Sequence, residues 1–510
     1  MSEKKRQVIN GSEPRIPLRD PLVERYTCGR LRRAEGALPA PGWKPTVARP
    51  SQLQESLHHM YNVIEYGAVG DGTTNDTAAV QAAIDACAQA GGGRVVLPGG
   101  HTFRTGTVTL RSHVELHIEH GATLAGSPDF ADYSIHFGGV VLNDGNTQWG
   151  KTPTTVLLNA EGAENIAVTG AGTIDGAGRH FVLSDNGYIY TMDERRPFTV
   201  YFRDCRNVTF RDVSIVDGAV WTLRLSLCDD VLIHGIRIHN DLKTPNSDAI
   251  DLDCCRRVRI SDCDIVAGDD AICLKTCLEH TREATDEERV CEDVTVTGCT
   301  ITTTSSALIL GVEAQTPIRN VVFSSCVVRS SARGIAVRLA EGGDIENVLF
   351  SDIVIETRFF HEGWWGRGEP IAIMAVPWRD RCGTIRNVRV RNVLCRSENG
   401  VLVYAQQPGA IEDIVLEGVR VEIDRWSRWE GGHGDFRPRR AEDFPKMPTD
   451  AFHLENASRV QLRDCEVVWA KRPEDGRHAL YAENCQGLTN RDFRGEAAHP
   501  ERGQEPVVIA

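Results

Sequence analysis

The chain of 510 residues is 41% hydrophobic and 25% charged, so it can bury a large core. Its formal net charge of −14 disfavours a nucleic acid as a partner, because binding to phosphates needs a basic surface. Residues 1–20 are charged and lack the apolar stretch of a signal peptide, and no segment has the apolar length of a membrane span. We therefore expect no nucleic-acid partner and no membrane partner.

The composition suggests three segments along the chain. Residues 1–60 are expected to form an extended arm, because prolines recur there at Pro39, Pro41, Pro45 and Pro50. This arm could pack along the molecule or on another subunit, so a homo-oligomer stays an open alternative. Residues 61–490 are expected to form one repetitive domain, and residues 491–510 a C-terminal tail.

One helix is predicted near the start of this domain, between Asn75 and Gly93. Asn75 or Asp76 can cap an Ala-rich segment, and the glycines from Gly91 to Gly93 can end it. A helix at this point would cover the open first rung of a repeat structure. The glycines also suggest a phosphate loop, but no Lys-Ser or Lys-Thr follows them.

A repeat of short strands follows the helix. A polar residue before a β-branched one recurs mostly every 23 to 27 residues, and two intervals, of 36 and 40 residues, indicate long loops. The pairs are Asn207-Val208, Asp230-Val231, Arg257-Val258, Asp293-Val294, Asn320-Val321, Asn347-Val348, Asn387-Val388 and Asp413-Ile414. Five residues after each β-branched residue stands a second small or apolar one: Val213, Ile236, Cys263, Cys299, Cys326, Ile353, Val393 and Val419. This pattern predicts an all-β solenoid, a parallel β-helix with a short N-terminal capping helix.

The 16 cysteines fit the same repeat. Two sets recur at fixed positions of the rungs: Cys263, Cys299, Cys326 and Cys465 in the core, and Cys205, Cys228, Cys255 and Cys291 three residues before a strand. Free cysteine behaves in a core as a small hydrophobic residue, so we expect reduced thiols and a cytoplasmic protein. Zinc is the alternative for Cys273 and Cys277, but no second pair stands at ligand spacing, and we predict neither a metal nor a cofactor.

Three aspartates are the strongest candidates for chemistry. Asp269 and Asp270 are adjacent, and Asp248 precedes them by about one rung, so the three carboxyl groups are expected on one surface. Consecutive strand residues point to opposite faces, and Gly268 is where a bend or bulge could turn both aspartates outwards. Clustered carboxylates raise the pKa of at least one member, which suits it to act as an acid. The alternative is that these are turn aspartates that accept backbone N–H bonds.

These residues resemble glycoside hydrolase family 28, the polygalacturonase family. The family carries Asn-Thr-Asp and Asp-Asp one rung apart on a right-handed parallel β-helix, and the corresponding residues here are Asn246-Ser247-Asp248 and Asp269-Asp270. The resemblance covers roughly residues 60–425 and includes Gly170 to Gly176 and Trp221. It implies that Asp269 is the general acid and that Asp248 and Asp270 activate water. The expected products are those of an inverting glycosidase, whose carboxyl groups lie about 6.5 to 9.5 Å apart.

Two family motifs are altered in this chain. Ser305-Ser306-Ala307 stands where Gly-His-Gly is expected, before Gly311 and Glu313, and Ala336-Val337-Arg338 stands where Arg-Ile-Lys is expected. The resemblance implies that the substrate carboxylate loses one of two cations, while Arg338 can still bind a carboxylate with two hydrogen bonds. The predicted substrate-binding residues are Asn246, Lys275, Glu313, Arg338, Trp364, Trp365 and Glu369.

Three long loops border the predicted groove, at residues 279–292, 358–379 and 426–448. They carry Trp364, Trp365, Trp378, Trp426 and Trp429, and flat aromatic rings suit the faces of sugars. The third loop also carries His433 and a basic group, Arg437, Arg439, Arg440 and Lys446. Long loops tend to close a groove, so we expect attack on the ends of pectin-derived oligosaccharides, either galacturonides or rhamnogalacturonans. A β-helix polysaccharide lyase and a non-catalytic carbohydrate-binding β-helix are the alternatives.

Overall fold

The structure is a computed structural model, and it describes residues 60–140, 152–277, 290–429, 432, 435–437 and 447–510. All of these residues belong to one compact unit that spans residues 57–510. The predicted arm, residues 1–60, lies outside the described residues except for Met60. Among the described residues, no helix is long and apolar enough to cross a membrane.

The chain winds into a parallel β-helix with three faces, here named A, B and C. Parallel pairing joins each strand to its equivalent one rung later on every face. Face A consists of Met60–Asn62, Gly93–Leu97, Val114–Ile118, Glu164–Thr169, Arg206–Arg211, Asp229–His234, Arg256–Ser261, Cys291–Thr297, Ile318–Ser324, Ala457–Arg463 and Thr489–Arg491. Face B consists of Asp71–Asn75, Thr102–Thr105, Thr123–Gly126, Thr173–Asp175, Ser214–Val216, Arg237–His239, Asp264–Ala267, Thr300–Thr303, Val327–Ser331 and Glu466–Trp469. Ile345–Thr357, Ile385–Ser397 and Ile411–Ile423 run through both faces.

Face C carries the site described below. Its strands are Val108–Thr109, Thr152–Glu161, Phe198–Arg203, Leu223–Ser226, Ile250–Asp253, Ile272–Thr276, Ser306–Ala314, Arg333–Leu339, Glu369–Ala375, Val401–Ala405, Phe452–Glu455, Leu480–Glu483 and Val507–Ile509. Two antiparallel additions interrupt the rungs: Ile135–Val140 pairs with Thr152–Glu161, and Val182–Asp185 forms a hairpin with Tyr190–Met192. Short 3-10 turns occupy Val63–Tyr66, Phe130–Asp132, Gly178–Phe181 and Pro500–Arg502.

The predicted repeat is confirmed, and the backbone explains its composition. The β-branched residues from Val208 to Ile414 pair in register on face A through every rung of the series. Each polar residue before them has a positive φ, between 52° at Asn387 and 58° at Asp293. Asn and Asp tolerate this left-handed conformation better than other residues with a side chain. A sharp bend at the start of each face A strand therefore selects the polar residue of the repeat.

The core between the faces is a stack of apolar side chains. The second series of the repeat, from Val213 to Val419, is buried throughout, as predicted. Both cysteine sets also lie in the core, each with 2% of its surface exposed or less. The cysteines that the structure describes are free thiols. Stacking at a fixed period thus gives cysteine the place of a small aliphatic residue.

The two ends of the β-helix differ from each other. The predicted helix is Thr77–Gln89, and its buried side packs against the first rungs, as a cap should. Asp76 does not cap it, since its carboxylate accepts hydrogen bonds from Val69 and Gly70 N–H, and Asn75 Oδ1 binds Thr77 N–H instead. At the other end, Val507–Ile509 pairs with Leu480–Glu483, so face C continues into the segment predicted to be a tail.

Candidate active site

The three aspartates lie at the start of neighbouring strands on face C. Ile250 pairs with Ile272, which places Asp248 and Asp270 at equivalent positions two residues before those strands. Neighbouring parallel strands are about 4.8 Å apart, so the two positions are adjacent. Ala249 and Ile250 both pack in the core, as do Ala271 and Ile272, so strand alternation begins only after these residues and the aspartates belong to the turns that lead into the strands. The predicted meeting of Asp248, Asp269 and Asp270 on one surface agrees with this register.

Gly268 begins the bend before the strand Ile272–Thr276, where a bend or bulge was predicted. Residues 268–271 form a turn that ends before Ile272, so the adjacent aspartates are not part of the regular strand. A Cβ atom at Gly268 would lie 2.3 Å from the carbonyl oxygen of Thr244 and 2.6 Å from that of Asp241. Its N–H binds the hydroxyl of Ser247 at 3.1 Å. Close packing on the preceding rung, and not a bulge in the strand, therefore accounts for glycine here.

Asp269 is held by backbone donors on both of its oxygens. Its Oδ2 accepts a hydrogen bond from Asn246 N–H at 3.0 Å, and its Oδ1 accepts one from Asp270 N–H at 3.0 Å. Burial and the neighbouring charge of Asp270 nevertheless raise its pKa to about 7. An acid with this pKa is partly protonated near neutral pH, which suits proton donation.

Asp270 binds donors from the next rung. Its Oδ1 accepts hydrogen bonds from the hydroxyl of Ser305 at 2.8 Å and from Ser306 N–H at 3.0 Å. These serines occupy the positions of the altered Gly-His-Gly motif. No role was predicted for these serines, and their hydrogen bonds orient the Asp270 carboxylate.

Asp248 is the most enclosed of the three, with 3% of its surface exposed. Its Oδ2 lies 3.3 Å from the ammonium group of Lys275, which also lies 3.0 Å from Asp251 Oδ1. Burial, then the charges of Asp251, Asp269 and Asp270, raise the pKa of Asp248, and Lys275 opposes this rise. Asp248 Oδ1 has no hydrogen-bond partner among the described residues.

Sequence reasoning missed Arg196, which supports the turn that carries Asn246. Its guanidinium donates to the carbonyl oxygens of Ala219 and Pro245 at 3.0 and 2.8 Å, and to Asn246 Oδ1 at 3.0 Å. Burial lowers its pKa to about 10, although the charges of Asp269 and Asp248 oppose this. Arg196 precedes the strand Phe198–Arg203 by two residues, and no repeat or motif in the sequence singled it out.

Glu313 and Lys275 border one small pocket beside Asp248. Its lining residues are Trp221, Arg224, Asp251, Asp253, Lys275, Cys277 and Glu313. The guanidinium of Arg224 binds Asp253 Oδ2 at 2.8 Å and stacks on Trp221 at 4.4 Å from the ring centre. Carboxylates and cations therefore alternate along the wall of the pocket, next to one aromatic ring.

Arg338 lies further along face C, on the strand Arg333–Leu339. Its guanidinium lies 5.5 Å from the ring centre of Trp365 and donates a hydrogen bond to the carbonyl oxygen of Arg437. Only 4% of its surface is exposed. Burial and the neighbouring charge of Arg333 lower its pKa to about 9. Among the described residues, no carboxylate forms an ion pair with Arg338, although the charges of Asp435, Asp270 and Glu369 act on it and partly oppose the fall of its pKa.

Two predicted substrate ligands have partners inside the protein. Glu369 is fully buried, lies 3.6 Å from Arg333, and accepts a hydrogen bond from Arg367 N–H at 2.7 Å. Trp364 is also buried, and its indole N–H binds the carbonyl oxygen of Tyr188 at 3.3 Å. Asn246, Glu313 and Trp365 are partly exposed. Glu369 and Trp364 therefore stabilise the loop at residues 358–368 through contacts within the protein.

The described part of the third loop covers face C beyond Arg338. Phe436 packs in a buried cluster with Ala372, Met374, Val376 and Leu402, which are outward residues of the next two strands. Asp435 binds Arg437 at 2.7 Å and Arg333 at 3.4 Å and accepts a hydrogen bond from Gly366 N–H. His433, Arg439, Arg440, Lys446 and most of the loop 279–292 lie outside the described residues. Phe436 therefore covers the outer side of face C at these two strands.

An aromatic cluster joins three insertions above the site. Tyr188, at the tip of the hairpin, stacks on His361 with ring centres 4.5 Å apart, and Trp429 meets His361 edge to face at 5.1 Å. The hairpin is also anchored close to the aspartates, because Lys243 binds Asp185 at 2.6 Å. The hairpin and the loops at 358–368 and 426–429 therefore form one connected wall.

Comparisons with known proteins identify the family of this chain. The model of glycosyl hydrolases family 28 matches residues 102–358, just over half of the chain. A probable polygalacturonase from Vitis vinifera is 27% identical over 221 residues, 43% of this chain and 44% of that protein. An exo-poly-alpha-D-galacturonosidase from Dickeya chrysanthemi is 28% identical over 251 residues, 41% of each protein. The chain thus spans less than half the length of these two curated relatives.

Solved structures show the same fold, a right-handed parallel β-helix. The Thermotoga maritima hyperthermoactive exopolygalacturonase is 22% identical, with a TM-score of 0.58, and 72% of this chain and 87% of that chain are covered. The Yersinia enterocolitica family 28 exopolygalacturonase is 16% identical, with a TM-score of 0.62, and 86% of this chain and 78% of that chain are covered. With the family model matched across both aspartate motifs, the chain belongs to glycosyl hydrolases family 28.

Proposed function

We propose that the protein is an inverting glycoside hydrolase that attacks the ends of pectin-derived oligosaccharides. The observation that carries this proposal is the division of roles among adjacent aspartates. Asp269 has a pKa of about 7 and can hold a proton, while Asp270 accepts two hydrogen bonds from Ser305 and Ser306. An inverting glycosidase needs one carboxylic acid that donates a proton and a carboxylate that activates water.

The reaction would follow from these roles. Asp269 gives its proton to the glycosidic oxygen, and the bond from this oxygen to the anomeric carbon breaks with its electron pair on the oxygen. A water oxygen forms the new bond to the anomeric carbon from the opposite side. Asp248 or Asp270 takes the proton of that water, and exchange with solvent restores the proton of Asp269. The attack from the opposite side inverts the configuration of the sugar.

The covered groove supports attack on chain ends. Phe436 fills the outer side of face C at Met374 and Leu402, so a polymer could not run across these rungs. The wall of Tyr188, His361 and Trp429 further limits the opening. A site closed on one side binds a terminal sugar more readily than the middle of a chain. The cytoplasmic location expected from the buried cysteines is part of this proposal, because oligosaccharides enter cells more readily than polymers.

The substrate class depends on Arg338. It is the one cation retained at the altered Arg-Ile-Lys motif, and its guanidinium is buried against the ring of Trp365. A desolvated arginine of this kind suits a carboxylate, which supports a uronic acid as the bound sugar. Galacturonides and rhamnogalacturonides both contain this group.

A lyase is less well supported. Such an enzyme needs a basic residue that takes a proton next to the substrate carboxylate. Burial disfavours the charged form of Lys275, but Asp251, Cys273 and Asp248 outweigh it and raise its pKa, so Lys275 stays protonated. Arg338, the other candidate base, donates a hydrogen bond to the Arg437 carbonyl oxygen and lies against the ring of Trp365.

A substrate screen tests the proposal. The purified protein would be incubated with defined galacturonide, rhamnogalacturonide and neutral oligosaccharides, and NMR would follow the anomer that forms first. We expect release of terminal sugars from a uronide with inverted configuration. First products with retained configuration would exclude the inverting mechanism. An unsaturated uronide, seen by its absorbance, would identify a lyase, and binding without turnover of any substrate would identify a carbohydrate-binding protein.

A substitution in the blocked groove tests the mode of attack. Phe436→Ala removes the side chain that covers Met374 and Leu402. We expect the variant to release longer internal fragments from a polymer, while the wild-type protein releases terminal units only. Phe493→Ala, which removes a ring that packs on Phe452 in a later rung, is the control for a lost core aromatic. Internal fragments from the wild-type protein would contradict attack on chain ends.

A further inference from the structure

Lys275 has an unusual environment for a predicted substrate ligand. The strand Ile272–Thr276 directs it out of the core on face C, where its ammonium lies 3.0 Å from Asp251 and 3.3 Å from Asp248. The ring centre of Trp221 lies 4.4 Å from the same nitrogen. Only 7% of the residue is exposed. The ammonium therefore has protein partners on several sides and little surface for a sugar.

We propose that Lys275 is a positioning residue that keeps Asp248 ionised and oriented as the water-activating carboxylate, while Asp269 retains its proton. The inference rests on the proposed hydrolase function and deepens it. Lys275 would not touch the substrate, and its effect would reach the reaction through Asp248.

The charges around Asp248 explain why such a cation is needed. Asp248 is buried beside three other carboxyl groups, and together these effects favour its protonated form. A protonated carboxyl group cannot take a proton from water. Asp248 Oδ2 faces Lys275, whereas Oδ1 has no hydrogen-bond partner among the described residues. The geometry thus leaves one buried oxygen of an ion-paired carboxylate without a protein donor.

Other charged and titratable groups surround Lys275, and each belongs to a segment packed against it. They are Asp248, Asp251, Asp253 and Arg224 on the preceding strands and their leading turns, Asp269, Asp270 and Cys273 on its own rung, and Glu313 on the next strand. Arg224 is engaged by Asp253 at 2.8 Å. The contact of Lys275 with both Asp248 and Asp251 therefore makes two substitutions with opposite consequences possible.

Lys275→Met removes the cation and keeps most of the side-chain volume. Without it, the acidic limb of the pH profile of kcat should move to higher pH by about one unit or more, because Asp248 ionises less readily. Asp251→Asn should move the same limb to lower pH, because a competing carboxylate is lost and Lys275 serves Asp248 alone. Lys275→Arg should restore much of the wild-type profile. Lys471→Met, which removes an exposed lysine paired with Asp424 at 3.1 Å, is the control.

A purely structural role would lower the rate at every pH without moving the limb. An unchanged limb in Lys275→Met, or a shift in the same direction for Asp251→Asn, would overturn the inference while the wild-type turnover upheld the proposed function. If Lys275→Met does not fold, the direction in which Asp251→Asn shifts the acidic limb of the pH profile is enough to test the inference.

A measurement without substrate separates this inference from the proposed function. Asp248 has a raised pKa in the folded state, so its contribution to stability is present at low pH and is lost as pH rises. Removing Lys275 should enlarge that loss. The fall of Tm between about pH 5 and pH 8 should be steeper in Lys275→Met than in Lys471→Met. Equal slopes would overturn the inference, whatever substrate the protein proves to cleave.

Discussion

The backbone N–H of Asn246 donates a hydrogen bond of 3.0 Å to the carboxyl group of Asp269 on the next rung. This contact joins the two motifs of the site, and it is made by the turn that also positions Asp248. Asn246 has a φ of 57°, a left-handed conformation that asparagine tolerates. The same turn is fixed from behind by Arg196, which binds Asn246 Oδ1 and two carbonyl oxygens. The position of the acid therefore depends on a backbone bend as much as on the aspartate itself.

Asp269→Asn should lower kcat by a factor of about 10² or more, because it removes the proton donor and changes little volume. The measurement is steady-state kinetics on the best substrate of the screen, with circular dichroism to show that the fold persists. Asp264→Asn is a matched control on face B, where Asp264 pairs with Arg329 at 2.7 Å. Near-wild-type turnover in Asp269→Asn would exclude this residue as the acid.

Activity should fall as pH rises through about 7, because the pKa of Asp269 is about 7 and the acid must be protonated. The check is a profile of kcat/KM on a natural oligosaccharide. An aryl glycoside with an acidic phenol needs little protonation of its leaving group, so the decline should be much weaker on that substrate. The same decline on both substrates would show that the fall of kcat/KM at high pH is due to a group other than Asp269.

The regular part of the molecule could be predicted because the residues that determine each rung recur at a fixed period in the sequence. Asn207, Asp230 and their equivalents recur at a bend of fixed φ, and Val208 and Val231 recur in the core, so period and register can both be read. The same register predicted that Asp248 and Asp270 lie on adjacent rungs. Here local conformation, burial and repeat length all indicate one structure.

The remaining parts of the site depend on contacts between distant segments. Arg196 reaches Asn246 across 50 residues, and Asp435 reaches Arg333 across about a hundred, without any periodic pattern. Phe436 belongs to the third loop, where no pattern singled it out, yet it is buried on Met374. The bend at Gly268 could be predicted, but its close packing on Thr244 could not. The parts of the site that irregular loops form therefore could not be predicted from the repeat pattern.

The core cysteines should react slowly with thiol reagents in the native protein. Cys263, Cys299 and Cys326 are each 1% exposed, so a reagent reaches them only after local opening. Cys382 and Cys485 are partly exposed and provide an internal comparison. Labelling followed by peptide mass spectrometry should modify Cys382 and Cys485 first, and all five after denaturation. Early labelling of the core set would contradict the packing described here.

Turnover should withstand EDTA, because an ammonium group already occupies the cation position among the carboxylates. Lys275 lies within 3.3 Å of both Asp248 and Asp251, where a divalent ion would otherwise bridge them. The measurement compares initial rates before and after dialysis against the chelator, with calcium added back. Complete loss that calcium restores would instead favour a lyase.

Arg338→Ala measures whether the site reads a carboxylate. On a uronide, the change should reduce kcat/KM by an amount equivalent to about 1.5–3 kcal/mol, since a charged hydrogen bond to a desolvated carboxylate is lost. On an analogue that differs only by reduction at C6, the loss should be closer to that of a neutral hydrogen bond, about 0.5–1.5 kcal/mol.

The comparison between the two substrates also removes an indirect effect of the substitution. Arg338 holds the carbonyl oxygen of Arg437 and lies under Trp365, so alanine will loosen the loop for either substrate. Only the difference between the two losses therefore reports on the carboxylate. Arg338→Lys keeps the charge but loses the planar pair of donors, and it should recover part of the difference. Equal losses on uronide and analogue would show that Arg338 does not recognise the acid group, and a neutral sugar would then replace the uronic acid in the proposed substrate.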